Sequence, residues 1–245
     1  AVLIDFYSGR ILYEKNAYSR LPMASTTKIM TALCAIENGN LAETVTVDKR
    51  AVGVEGSSMY LGYNEKITLE NLVYGLMLSS GNDAAVAIAI HISGSVEAFA
   101  DLMNKTAKKI GANNTSFKNP NGLDDENHFT TAYDLYLIFN EAIKYDSFNE
   151  IIHMTSYQTT FYDKDGKAKE LTVNNTNRFL KGDFNAPENI TVIGGKTGTT
   201  NAAGHCLILL SRDVNGAPYI SVILNSSASD VLYPEMVQLL EQINK

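Results

Sequence analysis

The sequence predicts an α+β fold: one antiparallel sheet flanked by helices, with a large helical insertion between its first and last strands. Three observations predict it. Residues 1–14 alternate around a turn dipeptide, as a hairpin does. Residues from about 25 to 150 repeat apolar positions at helical spacing, punctuated by capping residues and glycines. Beyond residue 154 the period returns to two and the chain then closes on a helical segment. Strands at both ends most simply join one sheet, and the helical block becomes an insertion beside it.

Each element follows from local chemistry. Val2, Leu3, Ile4 and Phe6 face Ile11, Leu12 and Tyr13 across Ser8-Gly9. A helix runs from Ser25 to about Glu37 with Ile29, Ala32, Leu33 and Ile36 on one face, and Gly39 stops it. Thr68 caps a helix over Leu69, Leu72, Val73, Leu76 and Met77; after Gly81, Asn82 or Asp83 caps another that reaches about Ile92. Ser95 caps a third, with Phe99, Met103, Ala107 and Ile110 inward and Gly111 as terminator. Asn119-Pro120-Asn121-Gly122 is a loop, and Thr131–Lys144 is again helical. Tyr157–Tyr162 and Ala168–Val173 alternate around Asp165-Gly166 as a β-ribbon. Core strands follow at Ile190–Ile193 leading into Lys196, at His205–Leu210 and at Tyr219–Leu224. Leu232–Ile243 is an acidic amphipathic helix whose Val237, Leu239, Leu240 and Ile243 pack on the sheet. A single domain over 1–245 is expected: a sheet region at about 1–24 and 189–245, a mainly helical region at about 25–150, and the ribbon at about 154–175. The cleft between sheet and helical regions is the expected place for an active site.

Composition narrows the function. The chain has 245 residues, 45% of them apolar and 19% charged, with net charge −7, which is ordinary globular usage. Its Lys and Arg are scattered, so no nucleic-acid partner is expected. The longest apolar run, Ala84–Ile90, is far short of a bilayer span. The start at Ala1, without Met or a basic–apolar leader, reads as a processed or trimmed chain, with membrane contact expected only through segments outside it. Cys34 and Cys206 sit in apolar stretches without a C-x-x-C and read as buried reduced thiols. His91, His128, His153 and His205 lack metal-ligand spacing; neither a metal nor a cofactor is expected.

Three short motifs can carry chemistry. In Ser25-Thr26-Thr27-Lys28 a Ser and a Lys share one face at the start of a helix, near unpaired N–H groups and the positive end of the dipole. A desolvated, neutral Lys28 can take the proton of Ser25. Taken alone the pattern is weak, since about one match arises by chance in a chain of this length and a plain N-cap explains it equally. Ser80-Gly81-Asn82 sits between two apolar helices, as a turn with a cap or as a proton-relaying hydroxyl beside an amide that holds a Lys and a substrate carbonyl. Lys196-Thr197-Gly198-Thr199 follows Ile193-Gly194-Gly195 at the end of a strand. A K-T-G triplet is expected by chance only about 0.05 times per chain. Lys196 supplies a second cation near Lys28, Thr197 and Thr199 offer hydroxyls to a carboxylate, and Gly198 lets a substrate backbone lie against the strand.

Together, in this order, the three resemble the motif set of β-lactamases and penicillin-binding proteins. The chain resembles the low-molecular-mass penicillin-binding proteins, the serine D-alanyl-D-alanine carboxypeptidases, from about Ala1 to Lys245. Leu21–Thr31, Phe117–Leu123, Asn177-Arg178 and Gly194–Gly198 carry the likeness further. The resemblance implies a β-lactamase/transpeptidase-like fold. It implies that Ser25 attacks the penultimate D-Ala carbonyl of a peptidoglycan stem peptide ending in D-Ala-D-Ala, with Lys28 as base and Asn82 beside it. Ser80 then protonates the leaving D-Ala with help from Lys196. Backbone N–H groups of Ser25 and Thr199 would form the oxyanion hole. Thr197, Gly198 and Thr199, with Arg178, would bind the terminal carboxylate end. β-Lactams would acylate the same serine, and the location would be extracytoplasmic.

Gly81 stands where many relatives carry Asp, which favours the carboxypeptidase branch, and Asn121 stands where relatives often carry His. Ser226–Glu235 lacks an Arg found in some relatives, which leaves Arg178 for the carboxylate. Two alternatives remain: a class A-like β-lactamase and a β-lactam sensor domain that is acylated without turnover. The first needs a Glu base in an E-x-x-x-N loop; Glu141 and Glu150 do not fit, and Glu170 meets Asn174 only within an expected strand.

Overall fold

The computed structural model describes residues 1–244; Lys245, the end of the expected domain, lies outside them. In chain order the elements are β1 (Val2–Asp5), β2 (Ile11–Glu14), a 3-10 turn (Ala24–Thr27) running into α1 (Lys28–Asn38), β3 (Thr44–Thr46), β4 (Lys66–Thr68), α2 (Leu69–Leu78), α3 (Asn82–Ser93), α4 (Val96–Ile110), α5 (Ala132–Ala142) and α6 (Asp146–His153). Then come β5 (Ser156–Tyr162), β6 (Ala168–Asn174), β7 (Thr191–Thr200), β8 (Gly204–Arg212), β9 (Pro218–Ser226) and α7 (Ser229–Leu240).

Strands from both ends of the chain form one antiparallel five-stranded sheet in the order β2-β1-β9-β8-β7. The period of two in β1, β8 and β9 buries both of its faces. Val2, Ile4, Cys206, Ile208, Leu210, Ile220 and Val222 join the core under the helical block. Leu3, Leu207, Leu209 and Ile223 join a second core with Leu232, Tyr233, Met236, Leu239 and Leu240 of α7. Each fully buried Leu or Ile contributes roughly 1.5–3 kcal/mol, so two covered faces hold this sheet firmly. Val237 and Ile243 pack on that second core from its margin, and α7 carries Pro234 within it. β7 lies at one end of the strand order, which leaves its outer edge facing the helical block.

The caps at Thr68 and Ser95 form as the sequence predicts: their hydroxyls accept from the backbone N–H of Asn71 and Ala98. Thr131 caps α5 in the same way, accepting from Asp134 N–H. Four features differ. Neither Asn82 nor Asp83 caps α3, whose N-cap is Gly81; both side chains are drawn into tertiary contacts instead. The ribbon β5–β6 does not stand alone but joins a second sheet, β3-β4-β5-β6. β3 and β4 are three residues each, too short to show alternation. α6 follows α5 after a brief polar break and packs Phe148, Ile151 and Ile152 inward, which the expected helix ending at Lys144 does not include. Finally, β7 runs on through the Lys196–Thr199 motif to Thr200, beyond the expected strand Ile190–Ile193 that leads into it.

Candidate active site

Ser25 sits on the 3-10 turn and Lys28 opens α1, so the nucleophile lies just ahead of the α-helix rather than in its first turn. Lys28 Nζ is 2.7 Å from Ser25 Oγ. The same nitrogen donates to Asn82 Oδ1 at 2.7 Å and to the Asn121 carbonyl at 2.6 Å. Asn82 Nδ2 donates to the Glu55 carbonyl at 2.6 Å, which orients the amide with its oxygen toward Lys28. Lys28 is fully buried. Burial, and next the neighbouring Lys196 charge, hold its amine well below the usual lysine range, while Asp83 opposes the shift.

Lys196 approaches from β7. Its Nζ is 3.1 Å from Ser80 Oγ and donates to the Thr197 carbonyl at 2.9 Å. Burial lowers its pKa to about 7. Ser80 occupies the left-handed region at φ +57°, and Ala24, just before the nucleophile, does so at +48°. Such residues cost of order 1–3 kcal/mol, so the surrounding packing holds both hydroxyls in place against local preference.

Two glycines allow this approach. Gly122, at φ +87°, lies so close to the Ala24 carbonyl that any Cβ would collide with it; this closeness puts the Asn121 carbonyl on Lys28. A Cβ on Gly198 would lie 2.9 Å from the backbone nitrogens of both Ser25 and Thr26. Gly198 is thus demanded by the chain's own nucleophile turn, in addition to any substrate. His128 latches the same loop. Its Nδ1 accepts from Lys118 N–H at 3.0 Å, so the neutral ring donates from Nε2 to Thr27 Oγ1 at 2.7 Å. Burial pushes its pKa down to about 4, which keeps that tautomer neutral.

A cleft of about 270 Å³ runs from Ser25 and Ser80 along β7 to Thr197, Gly198, Thr199, Arg178 and His205. Thr197 Oγ1 lies 2.6 Å from Thr176 Oγ1, and Thr199 Oγ1 lies 3.1 Å from His205 Nδ1. Arg178 lines the wall, and its guanidinium already carries protein partners. It bonds Asp230 at 3.0 Å, pairs with Asp183 at 3.4 Å and stacks over Phe184 at 4.5 Å. No Asp or Glu lines this cleft; Glu141, Glu150 and Glu170 lie on α5, α6 and β6. A larger hollow of about 650 Å³ beside Tyr13, Asn225 and Glu235 contains none of the motif residues.

The five residues Ser25, Lys28, Ser80, Asn82 and Lys196 are therefore brought into one connected cluster. Sequence reasoning misses Asp83, which accepts from Met59 N at 2.9 Å, Leu61 N at 3.0 Å and Ser58 Oγ at 2.7 Å. It thereby fixes the segment whose Glu55 carbonyl orients Asn82. It also misses Thr176, His205 and the Asn121 carbonyl. Cys34 and Cys206 are free and buried; burial pushes their thiols up to about 12 and about 11, which makes both inert.

A family model described as D-alanyl-D-alanine carboxypeptidase matches residues 1–228. The D-alanyl-D-alanine carboxypeptidase DacF of Bacillus subtilis is 37% identical over 248 residues, covering 98% of this chain and 60% of that protein. DacC of Escherichia coli is 36% identical over 256 residues, covering 98% of this chain and 59% of that protein. The chain thus spans about 60% of the length of these relatives. The crystal structure of the Streptomyces K15 DD-transpeptidase superposes with a TM-score of 0.90 at 30% identity, over 98% of this chain and 94% of that one. The fold is accordingly the β-lactamase/transpeptidase-like one, and the chain belongs to the peptidase S11 family of D-alanyl-D-alanine carboxypeptidases.

Proposed function

We propose that the protein is a serine D-Ala-D-Ala carboxypeptidase that removes the terminal D-Ala from peptidoglycan stem peptides and is acylated by β-lactams. The observation that carries this is the environment of Lys28 Nζ. A neutral amine has two hydrogens and one lone pair. The Asn82 Oδ1 and the Asn121 carbonyl can only accept, so they take both hydrogens. In that neutral form the lone pair is left for the third neighbour, Ser25 Oγ at 2.7 Å, whose hydroxyl then becomes the donor. The depressed pKa of Lys28 supports the neutral form.

The reaction follows. Ser25 Oγ attacks the penultimate D-Ala carbonyl as its proton passes to Lys28. The oxyanion is held by the backbone N–H groups of Ser25 and Thr199. When the C–N bond breaks, Ser80 passes its proton to the departing amine and takes up in exchange the proton Lys28 received, which returns Lys28 to its neutral form; Lys196 supplies positive potential beside them. The hydroxyls of Thr197 and Thr199 receive the terminal carboxylate. Water then attacks the ester carbonyl as Lys28 accepts its proton, and Lys28 returns that proton to Ser25 Oγ as the ester C–O bond breaks. With a β-lactam the same attack opens the ring and the leaving nitrogen stays tethered, so the adduct persists. The substrate places the enzyme outside the cytoplasmic membrane.

The test is to incubate the protein with diacetyl-Lys-D-Ala-D-Ala and, separately, with a penicillin, following D-Ala release and the mass of the Ser25 peptide. D-Ala release with a persistent penicilloyl adduct is expected. Rapid loss of the adduct would make it a β-lactamase, and a lasting adduct without D-Ala release would make it a sensor.

A further inference from the structure

We infer that His205 is the specificity-determining residue that supplies positive charge to the substrate's free carboxylate, in place of Arg178; the inference rests on the carboxypeptidase reading above. Position carries it first. Thr199 and His205 are directly opposed on β7 and β8, so their side chains share one face of the sheet. His205 Nδ1 lies 3.1 Å from Thr199 Oγ1, and both residues line the cleft with Thr197.

Charge carries it second. Among the described residues His205 forms no ion pair, and no carboxylate lines the cleft around it. Arg178, the other cation on that wall, already serves Asp230 and Asp183 and is stacked on Phe184. One guanidinium with two carboxylates is a net negative corner, which repels a third carboxylate. Tertiary structure, not sequence, makes this distinction, because Asp183 and Asp230 reach Arg178 from different segments.

Hydrogen-bond direction completes the argument. A charged imidazole donates from both nitrogens. Its Nδ1–H then donates to Thr199 Oγ1, which turns the threonine's own hydrogen outward to a ligand. A carboxylate lying between Thr197 and Thr199 would accept from both hydroxyls beside a positive ring, a charge-assisted arrangement. A C-terminal amide has no charge to meet that ring.

The test uses the full chain with Ser25→Ala, so that ligand binds without turnover. Calorimetry measures diacetyl-Lys-D-Ala-D-Ala and its C-terminal amide. The acid is expected to bind about tenfold or more tighter than the amide. Adding His205→Gln, which keeps a donor but not the charge, should erase that preference. His205→Arg should keep it, and Arg178→Gln should leave it unchanged. Equal binding of acid and amide before any change at 205, or a preference that survives His205→Gln, overturns the inference, as does a preference lost only with Arg178→Gln. Turnover by the unsubstituted protein is scored separately. D-Ala release with a preference indifferent to position 205 sinks only the role of His205. A preference that depends on position 205 without D-Ala release sinks only the carboxypeptidase reading.

Discussion

At one end of the cleft Lys28 and Lys196 are sealed from water; at the other Thr199 is exposed and Arg178 and His205 are half-buried. The chemical end is assembled from two residues in the left-handed region, Ala24 and Ser80, and from glycines whose missing Cβ lets backbone touch backbone. The recognition end is a row of hydroxyls on one strand, with its polar partners one residue deep. The difference follows from what each end must do. A lysine base works only when desolvation removes its charge. A carboxylate-binding end needs its charge kept and its donors reachable.

The largest effect should come from the sealed end. Lys28→Ala removes the base, and penicillin acylation of Ser25, followed by intact mass, should slow by about 10²- to 10⁴-fold. Acylation at an undiminished rate would mean that desolvation of Lys28 serves something other than proton transfer. Gly122→Ala should be nearly as severe without touching a functional group. Its Cβ would strike the Ala24 carbonyl, and its φ of +87° suits glycine alone. A stability loss of roughly 2–4 kcal/mol, read from chemical denaturation, should accompany slowed acylation.

Lys196→Ala sharpens the comparison by pH. Lys28 accepts a proton only above its own pKa, and the Lys196 charge lowers that pKa. Without the charge the Lys28 pKa rises, so the acid limb of the acylation profile should move to higher pH. A limb that stays put would mean that the two amines do not sense each other.

How far these ends were legible differs for a physical reason. Ser25, Lys28, Ser80, Asn82 and Lys196 could be read because the chemistry names the side chain at each position. The Asn121 carbonyl could not, because every residue has one and only the fold says which is aimed at Lys28. Asp83 follows Asn82 at a helix start and so passes for a cap, although its carboxylate reaches Met59 and Leu61. Gly198 was legible as a place of close approach, but the neighbour on its doorstep is Ser25's own backbone. Arg178 was the natural carboxylate partner from sequence, and only the fold shows that Asp183 and Asp230 already contact it. Strands β3 and β4 escaped because three residues hold too little alternation, whereas the sheet strands announced themselves through long two-sided apolar runs.

Asp83→Asn tests the layer that supports the sealed end. The carboxylate accepts from two backbone N–H groups and the Ser58 hydroxyl of the 58–61 segment. An amide replaces one accepting oxygen with a donor, leaving buried N–H groups facing N–H. A loss of about 1–3 kcal/mol is expected, with acylation slowed because Asn82 loses its fixed Glu55 partner.

The smallest effect belongs to a site outside the cleft and serves as the control. Ser95 caps α4, its hydroxyl accepting from Ala98 N–H at 3.1 Å. Ser95→Ala should cost about 1 kcal/mol and lower the melting temperature by roughly 2–4 °C for a chain of this size. Acylation should proceed at the unsubstituted rate, because α4 contributes no residue to the cleft. A cap on the helical block that changed acylation as much as Asp83→Asn would show that the sealed end depends on global stability rather than on its own local scaffold. The contrast between the two substitutions therefore measures how local the preorganisation of Lys28 is.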